Sequence, residues 1–478
     1  MNENSLLSTE QRRAGQRYAL IANLFLQTTF FIVVGSMMML FANDVLGFSP
    51  KKIAAMLALS SLLAILRIPL LPVIRSLGKV RTLLVTESVR FGVVVALLCL
   101  PAQRLGFTLY LVLLLIYVGA AQLGMGAVWQ PLLRDITTED DRGRFFARMR
   151  LSFTVIGLLL IGAVSTLIGP TVSERQYKVL LMVAAATILH RLFWTSRIPE
   201  LRSAQGPTCE ARHAHRHWLH IARTSPLLRR PLVIDLLLIL TCLPVFVLYL
   251  RQMLHIPSNL LSTYVFMVTL GGALSYLSWG HIADRIGFRP MMAGLLWLAM
   301  AVSPMVLFLA PMSEPYGGLS ALGGRDLLTV AVLWLMGLAN GAVGAGIGIA
   351  STSIQHHHVD SADSLEAMSL HSLAVVATGS VAAYFSGWFL EEVALPAGTL
   401  WELGAIQLDW VKVYLVAAVP ALYLLALPQV SRLPALNPYY GIADFFSAIL
   451  TNPVKNIMMF RGARPPRDRE GTDDGTRG

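Results

Sequence analysis

Three ionisable side chains, Arg67, Glu87 and Arg90, stand inside long apolar runs of this chain. A charge near the middle of a bilayer costs ~2.5–3.5 kcal/mol on insertion scales, so each such residue needs a partner or a task. Arg67 lies about eight residues before the end of one run, and Glu87 and Arg90 lie six to nine residues into the next. At ~1.5 Å rise per residue all three sit roughly 9–13 Å in from the same side. An antiparallel hairpin is therefore expected to gather them into an Arg67–Glu87–Arg90 cluster of net positive charge. Such a cluster either attracts an anion or relays a proton, or it is an ion pair that locks one helix to the next.

Other polar residues fall in apolar surroundings. Asn23 and Gln27 are one helical turn apart, and Gln122, Trp129 and Gln130 share another run. These types can hydrogen-bond a neutral or zwitterionic solute, with Trp129 offering a stacking face. The alternative roles are interhelical glue and, for Trp129, an anchor at the membrane interface. Asn340 sits among Gly337, Gly341, Gly344 and Gly348, two small-x-x-x-small pairs that favour close helix packing. Their glycine content also makes that helix the expected place for a bend and a moving gate. His371, five residues beyond Glu366, is either a proton switch near neutral pH or a structural group. Asp235 is expected near the interface, paired with Arg229 or Arg230.

Motifs for bond-making chemistry do not occur. There is no phosphate loop of the Gly-x-x-x-x-Gly-Lys-Ser/Thr type, no nucleophile elbow, no zinc motif and no pair of carboxylates. The histidines of Cys209-Glu-Ala-Arg-His-Ala-His-Arg-His-Trp-Leu-His220 are interleaved with Arg and Trp. That stretch reads as an amphipathic helix on an anionic membrane surface rather than a metal site. His356–His358 reads as a solvated loop. No cofactor, metal or enzymatic activity is expected, and the three cysteines, Cys99, Cys209 and Cys242, imply no disulfide framework.

The elements that must position these residues are membrane helices. With 478 residues, 55% hydrophobic and only 14% charged, the chain is too apolar for a soluble globular protein, where about 25% are charged. A spanning helix takes ~20 mainly apolar residues. Twelve segments qualify, approximately 18–42, 53–74, 83–100, 109–132, 151–168, 177–194, 232–250, 260–279, 291–310, 327–350, 370–390 and 411–427. With the N-terminus inside, and with charges within a few residues of a segment end counted with the adjoining loop, Lys and Arg divide 28 to 8 in favour of the inner side, with Arg67 and Arg90 deeper within segments, which accounts for all 38. Both termini are therefore expected in the cytosol, and the net charge of +11 is matched by anionic lipid without nucleic acid. The first segment is too long for a signal peptide core and is read as a retained helix. The expected organisation is a six-helix bundle over 1–194, a cytosolic connector over 195–230, a second bundle over 231–433, and an amphipathic and disordered tail over 434–478.

Between the eighth and ninth segments stands Gly280-His-Ile-Ala-Asp284-Arg285-Ile-Gly287-Phe-Arg289. Gly280 is expected to allow close helix contact and Gly287 a turn with positive φ. Asp284 can accept from a neighbouring helix N-terminus and act as a latch. The spacing Gly-x-x-x-Asp-Arg-x-Gly-x-Arg resembles the signature loop of the major facilitator superfamily, found there after helix 2 and again after helix 8. The loop after the second segment aligns with it through Gly78 and Gly287, placing Arg75 opposite Asp284, and Arg134-Asp-Ile-Thr-Thr-Glu-Asp-Asp-Arg-Gly143 resembles the loop between helices 4 and 5. The resemblance implies an all-α fold of twelve helices in two pseudosymmetric bundles around a central cavity.

It also implies secondary transport of a small organic solute by alternating access, with protons as a coupling candidate. The bilayer is the expected partner, a monomer the expected state and a bacterial inner membrane the expected location. Two departures stand out: the first-half signature is degenerate, and the fifth segment lacks the kinked glycine pattern of drug antiporters. A transporter-like sensor or assembly partner without flux is the alternative, followed by a polytopic membrane enzyme.

Overall fold

The computed structural model describes residues 7–137, 139–200, 223–312, 323–358, 364–403, 406–434 and 439–451. Long helices account for most of them. In order these are α1 (Thr9–Asp44), α2 (50–77), α3 (Lys79–Cys99), α4 (107–136), α5 (Glu139–Leu167), α6 (Glu174–Thr195), α7 (Arg230–Gln252), α8 (Ser258–Ile286), α9 (Phe288–Phe308), α10 (Gly324–His357), α11 (364–397) and α12 (Trp410–Ser431). A short α13 (Ile442–Thr451) follows. An antiparallel ribbon, β1 (Trp401–Leu403) with β2 (Ile406–Leu408), joins α11 to α12. Among the described residues, ten helical stretches are long and apolar enough to cross a membrane by length and composition, one in each helix other than α2 and α8. α2 carries Arg67 and a 3-10 turn at Leu63–Leu66, and the 29 residues of α8 begin with Ser258-Asn259 and end on the charged loop motif. The expected connector helix and Cys209 lie outside the described residues.

Local chemistry sets several boundaries. Ser8 with Gln11 and Ser173 with Gln176 form reciprocal caps at the starts of α1 and α6, each satisfying backbone donors that the first helical turn leaves free. The turns after α2 and α8 are the same: Gly78 at φ 87°, ψ 161° and Gly287 at φ 88°, ψ 163°. Both values lie where a side chain is strained, so the expected positive φ at Gly287 is present and recurs in the other half. Gly280 departs from expectation. A Cβ built there meets nothing within 4 Å, so it is not a close-contact residue.

Two helices are interrupted in corresponding places. α1 breaks at Leu24–Phe25 and again at Val34–Gly35, and α7 breaks over Cys242–Val245, where Pro244 cannot continue the ladder. Asn23 and Gln27 therefore lie on opposite sides of a break, not on one uninterrupted helical face. α10, by contrast, runs as one α-helix of 34 residues with no break at its glycines. Gly337 and Gly341 face α8 closely: a Cβ on Gly341 would collide with the Val268 carbonyl, and one on Gly271 with that of Leu338. Gly344 and Gly348 face open space and are not packing contacts.

The buried core has an unequal layout. At the end away from the chain termini, one apolar cluster unites both halves, from Phe31–Ala42, Ile53, Leu97 and Tyr177 to Val245–Leu250, Leu261, Leu333 and Val411. At the opposite end the core divides. One cluster belongs to α1–α6, around Trp129, Leu133 and Ile136. Separate ones belong to the second half, around Met292 and Ile354 and around Trp279 and Phe445. α13 seats Phe445 in the notch left by Gly294, with its ring stacked on Trp279 at 5.9 Å.

Candidate functional site

The first-half charges cluster, with one substitution in the expected cast. Glu87 and Arg90 on α3 pair at 2.7 and 2.9 Å. Arg90 also donates to the Tyr117 hydroxyl of α4 at 2.6 Å and lies over its ring. The third member is Arg191 of α6, whose Nε is 3.4 Å from Glu87 Oε1. Its guanidinium contacts Met125 and lies 5.1 Å from the centroid of Trp129. Trp129 is buried, so it is a platform for Arg191 rather than an interfacial anchor. Sequence reasoning missed Arg191 because it lies four residues from the end of α6 and was counted with the inner loop charges. One carboxylate thus faces two permanent cations, and Arg191 Nη1 has no hydrogen-bond partner among the described residues.

Arg67 does not join this cluster. Its Nε donates to the Gln122 carbonyl at 3.1 Å, and another guanidinium nitrogen contacts the Gln122 side-chain oxygen. Depth along the helices was right, but Arg67 points at α4 rather than α3. The reason is local. Residues Gln122–Trp129 form a π-helical stretch, a widened turn that frequently marks functional positions. Gly126, on that stretch, lacks the side chain that would occupy the guanidinium's place. Gln27 packs against Gly157 of α5. Its buried Oε1 and that of Asn23, Oδ1, have no hydrogen-bond partner among the described residues.

In the second half, exposed Asn340 hydrogen-bonds the buried Tyr264 hydroxyl of α8. His371 on α11 is buried and lies 3.2 Å from Asp235 on α7. Asp235 accepts from Ser351 at 2.8 and 3.0 Å and from Gln355 at 3.0 Å, both on α10. It is therefore a half-site among three helices, and not the interfacial partner of Arg229 or Arg230 that its position suggested. Arg230 instead donates to the Arg432 carbonyl at 2.7 Å.

Hydrogen bonds and ion pairs between described residues of the two halves gather at the end where the core is continuous. Asp44, at the end of α1, accepts from Arg251 Nε at 3.1 Å, Ser258 Oγ at 2.9 Å and the Val172 N–H at 3.2 Å. Lys51 at the start of α2 pairs with Glu392 of α11 at 2.8 Å, and Glu391 accepts from the Lys51 N–H at 2.8 Å. The hydrogen bond to Glu392 raises the Lys51 ammonium above its ordinary value. Of the loop motif, Arg285 is exposed and Arg289 donates to the Leu433 carbonyl at 3.2 Å. The Asp284 and Arg75 side chains lie outside the described ones. In the first half, Glu200 caps α3 by accepting from the N–H groups of Lys79 and Val80.

Long apolar helices with interior charges, whose two halves share a continuous buried core at one end, define a polytopic membrane carrier. Residues 25–322 match the profile of the Major Facilitator Superfamily, and the chain belongs to that family. It is a transporter fold and not an enzyme. Similar solved structures include a point mutant of the nucleoside transporter NupG, with 12% identity, a TM-score of 0.61 and coverage of 88% of this chain and 99% of that one. A D-xylose-proton symporter superposes with a TM-score of 0.64 at 12% identity, covering 88% and 98%. The xylose transporter XylE from E. coli in a partially occluded inward open conformation gives 0.59 at 13% identity, covering 89% and 99%. At these identities the likeness is one of fold. No curated protein sequence matches the chain.

Proposed function

We propose that the protein moves a small organic solute across a bacterial inner membrane by alternating access, with all twelve long helices crossing the bilayer and both termini in the cytosol. The observation that carries this reading is the core that is shared between halves at one end and divided at the other. Two rigid bundles closed at one face and parted at the opposite face are one of the two states that alternating access requires. With the termini inside, this state faces the cytosol. Gln27, Arg67, Gln122 and Asn340 are the solute-contact candidates, because each is at least partly accessible at interior depth. Glu87, Arg90 and Trp129 hold the first bundle together. Asp284 is a latch for the opposite state, in which the cytosolic ends meet.

Orientation and flux have separate tests. With Cys99 and Cys242 removed, Cys209 should be labelled by an impermeant maleimide only after permeabilisation, and Gly317→Cys in intact cells; the reverse pattern overturns the topology. A thermal-stabilisation screen of metabolites on purified protein should yield a solute that then crosses proteoliposomes. A solute that binds with no exchange flux would make the chain a sensor built on a transporter fold.

A further inference from the structure

The residues that leave α6 and those that leave α12 repeat one another, as Ser196-Arg-Ile-Pro-Glu-Leu201 and Ser431-Arg-Leu-Pro-Ala-Leu436. The local bonding repeats with them. Ser196 and Ser431 each donate their hydroxyl to the carbonyl three residues back, at 2.8 and 2.9 Å, and the Ile198 and Leu433 N–H groups do the same at 3.1 Å. Ile198 shares a buried cluster with Val80 and Leu83 of α3, and Leu433 one with Phe288 and Met292 of α9. Those residues follow Gly78 and Gly287. Each copy therefore packs on the helix start just behind the positive-φ turn of its own bundle.

We propose that the two segments are copies of one clasp that fixes these turns, and that Glu200 is a positioning residue which gives the first turn the carboxylate its own loop lacks. Its bearing on function rests on the transport reading above. Glu200 accepts from the Lys79 N–H and, at 3.2 Å, from the Val80 N–H. The start of α3 has no side-chain cap of its own, because Gly78 holds the capping position, and the first helical turn leaves its donors free. A carboxylate there meets both those donors and the positive end of the helix dipole. Lys79 does not draw it away, since its ammonium contacts Asp135 of α4. A Cβ on Gly78 would come within 3.0 Å of a Glu200 oxygen, so the glycine serves this contact as well as the turn.

In the second half the tie runs the other way. Alanine, Ala435, stands at the position of Glu200, and Arg289 in the first turn of α9 donates to the Leu433 carbonyl of the clasp at 3.2 Å. The loop charges are reversed as well, with Asp284 before the second turn and Arg75 before the first. The carboxylate missing from the first loop thus arrives through the connector, 121 residues beyond Lys79. With the termini inside, both turns stand on the face that closes in the opposite state. Glu200 then sets where the first turn stands when it closes.

Amide hydrogen exchange of the purified protein, resolved over residues 76–84, reads the contact without a solute. Exchange at Lys79 and Val80 should speed about tenfold or more in Glu200→Ala, and by less in Glu200→Gln, which keeps an acceptor oxygen and loses the charge. Residues 288–292 should exchange as in the wild type in both variants. Unchanged exchange in Glu200→Ala, or a Glu200→Gln that matches the wild type, overturns the role of the carboxylate. Positioning has its own readout. Spin labels on the cytosolic ends of α2 and α8, measured by pulsed electron resonance in nanodiscs, should give a broader distance distribution in Glu200→Ala, with Glu200→Gln between it and the wild type. A wild-type width in Glu200→Ala overturns the positioning role even where exchange has risen. Both measurements responding as expected while no solute crosses proteoliposomes would sink the transport reading and leave the clasp standing.

Discussion

Glu87→Gln is expected to yield little folded protein. The substitution keeps the shape of the side chain and removes the carboxylate charge that faces Arg90 and Arg191, all three side chains being no more than 6% exposed. Breaking a buried pair by neutralising one partner costs ~3–5 kcal/mol, because the remaining charge is left in low dielectric. Here two remain. Size-exclusion profiles and thermal unfolding in detergent measure the loss. Adding Arg191→Gln to Glu87→Gln should recover part of it, since one unpaired cation is less costly than two and the double-mutant coupling reports the contact itself. A single variant that folds like the wild type yet loses a response to a pH gradient would instead make Glu87 a proton carrier.

The second large effect is on the balance of states. Asp44→Asn removes the charge that receives Arg251, Ser258 and the Val172 N–H where α1, α7 and α8 meet. Hydrogen bonds to charged groups contribute ~1.5–3 kcal/mol each. Losing the equivalent of one moves a balanced equilibrium roughly ten- to a hundredfold toward the state open at that face. Asp284→Asn should move it the other way, because under the proposed function that carboxylate is the latch of the opposite face. Distances between spin labels at each face should therefore shift in opposite senses in the two variants. A common direction, or no shift in Asp44→Asn, would show that the contacts at the far face are incidental to the state.

How much of this was legible beforehand depended on what each signal encodes. Spacing along a helix is written in the sequence, so Glu87 with Arg90 at three residues and the paired turns at Gly78 and Gly287 could be read directly. Depth was readable too, through residue counts from helix ends. Direction around the helix was not: Arg67 has the expected depth but turns to Gln122. Charges close to a helix end were read as loop charges, which hid Arg191 and misplaced Asp235. Breaks in continuous apolar runs leave little trace. Pro244 marks the one in α7 and Gly35-Ser36 one of the two in α1, but the interruption at Leu24–Phe25 lies in apolar sequence without Gly or Pro.

The backbone contact of α8 with α10 has a mechanical consequence. Where most helix pairs are separated by a compressible layer of side chains, these two meet carbonyl to glycine at Gly271 and Gly341, and a contact without side chains has few rotamers in which to yield. The pair should behave as a stiff beam. A displacement of the Gly287 turn at one end would then reach Asn340 and Tyr264 with little loss, and the deformation would collect where the neighbouring structure is already interrupted, at the Cys242–Val245 break of α7.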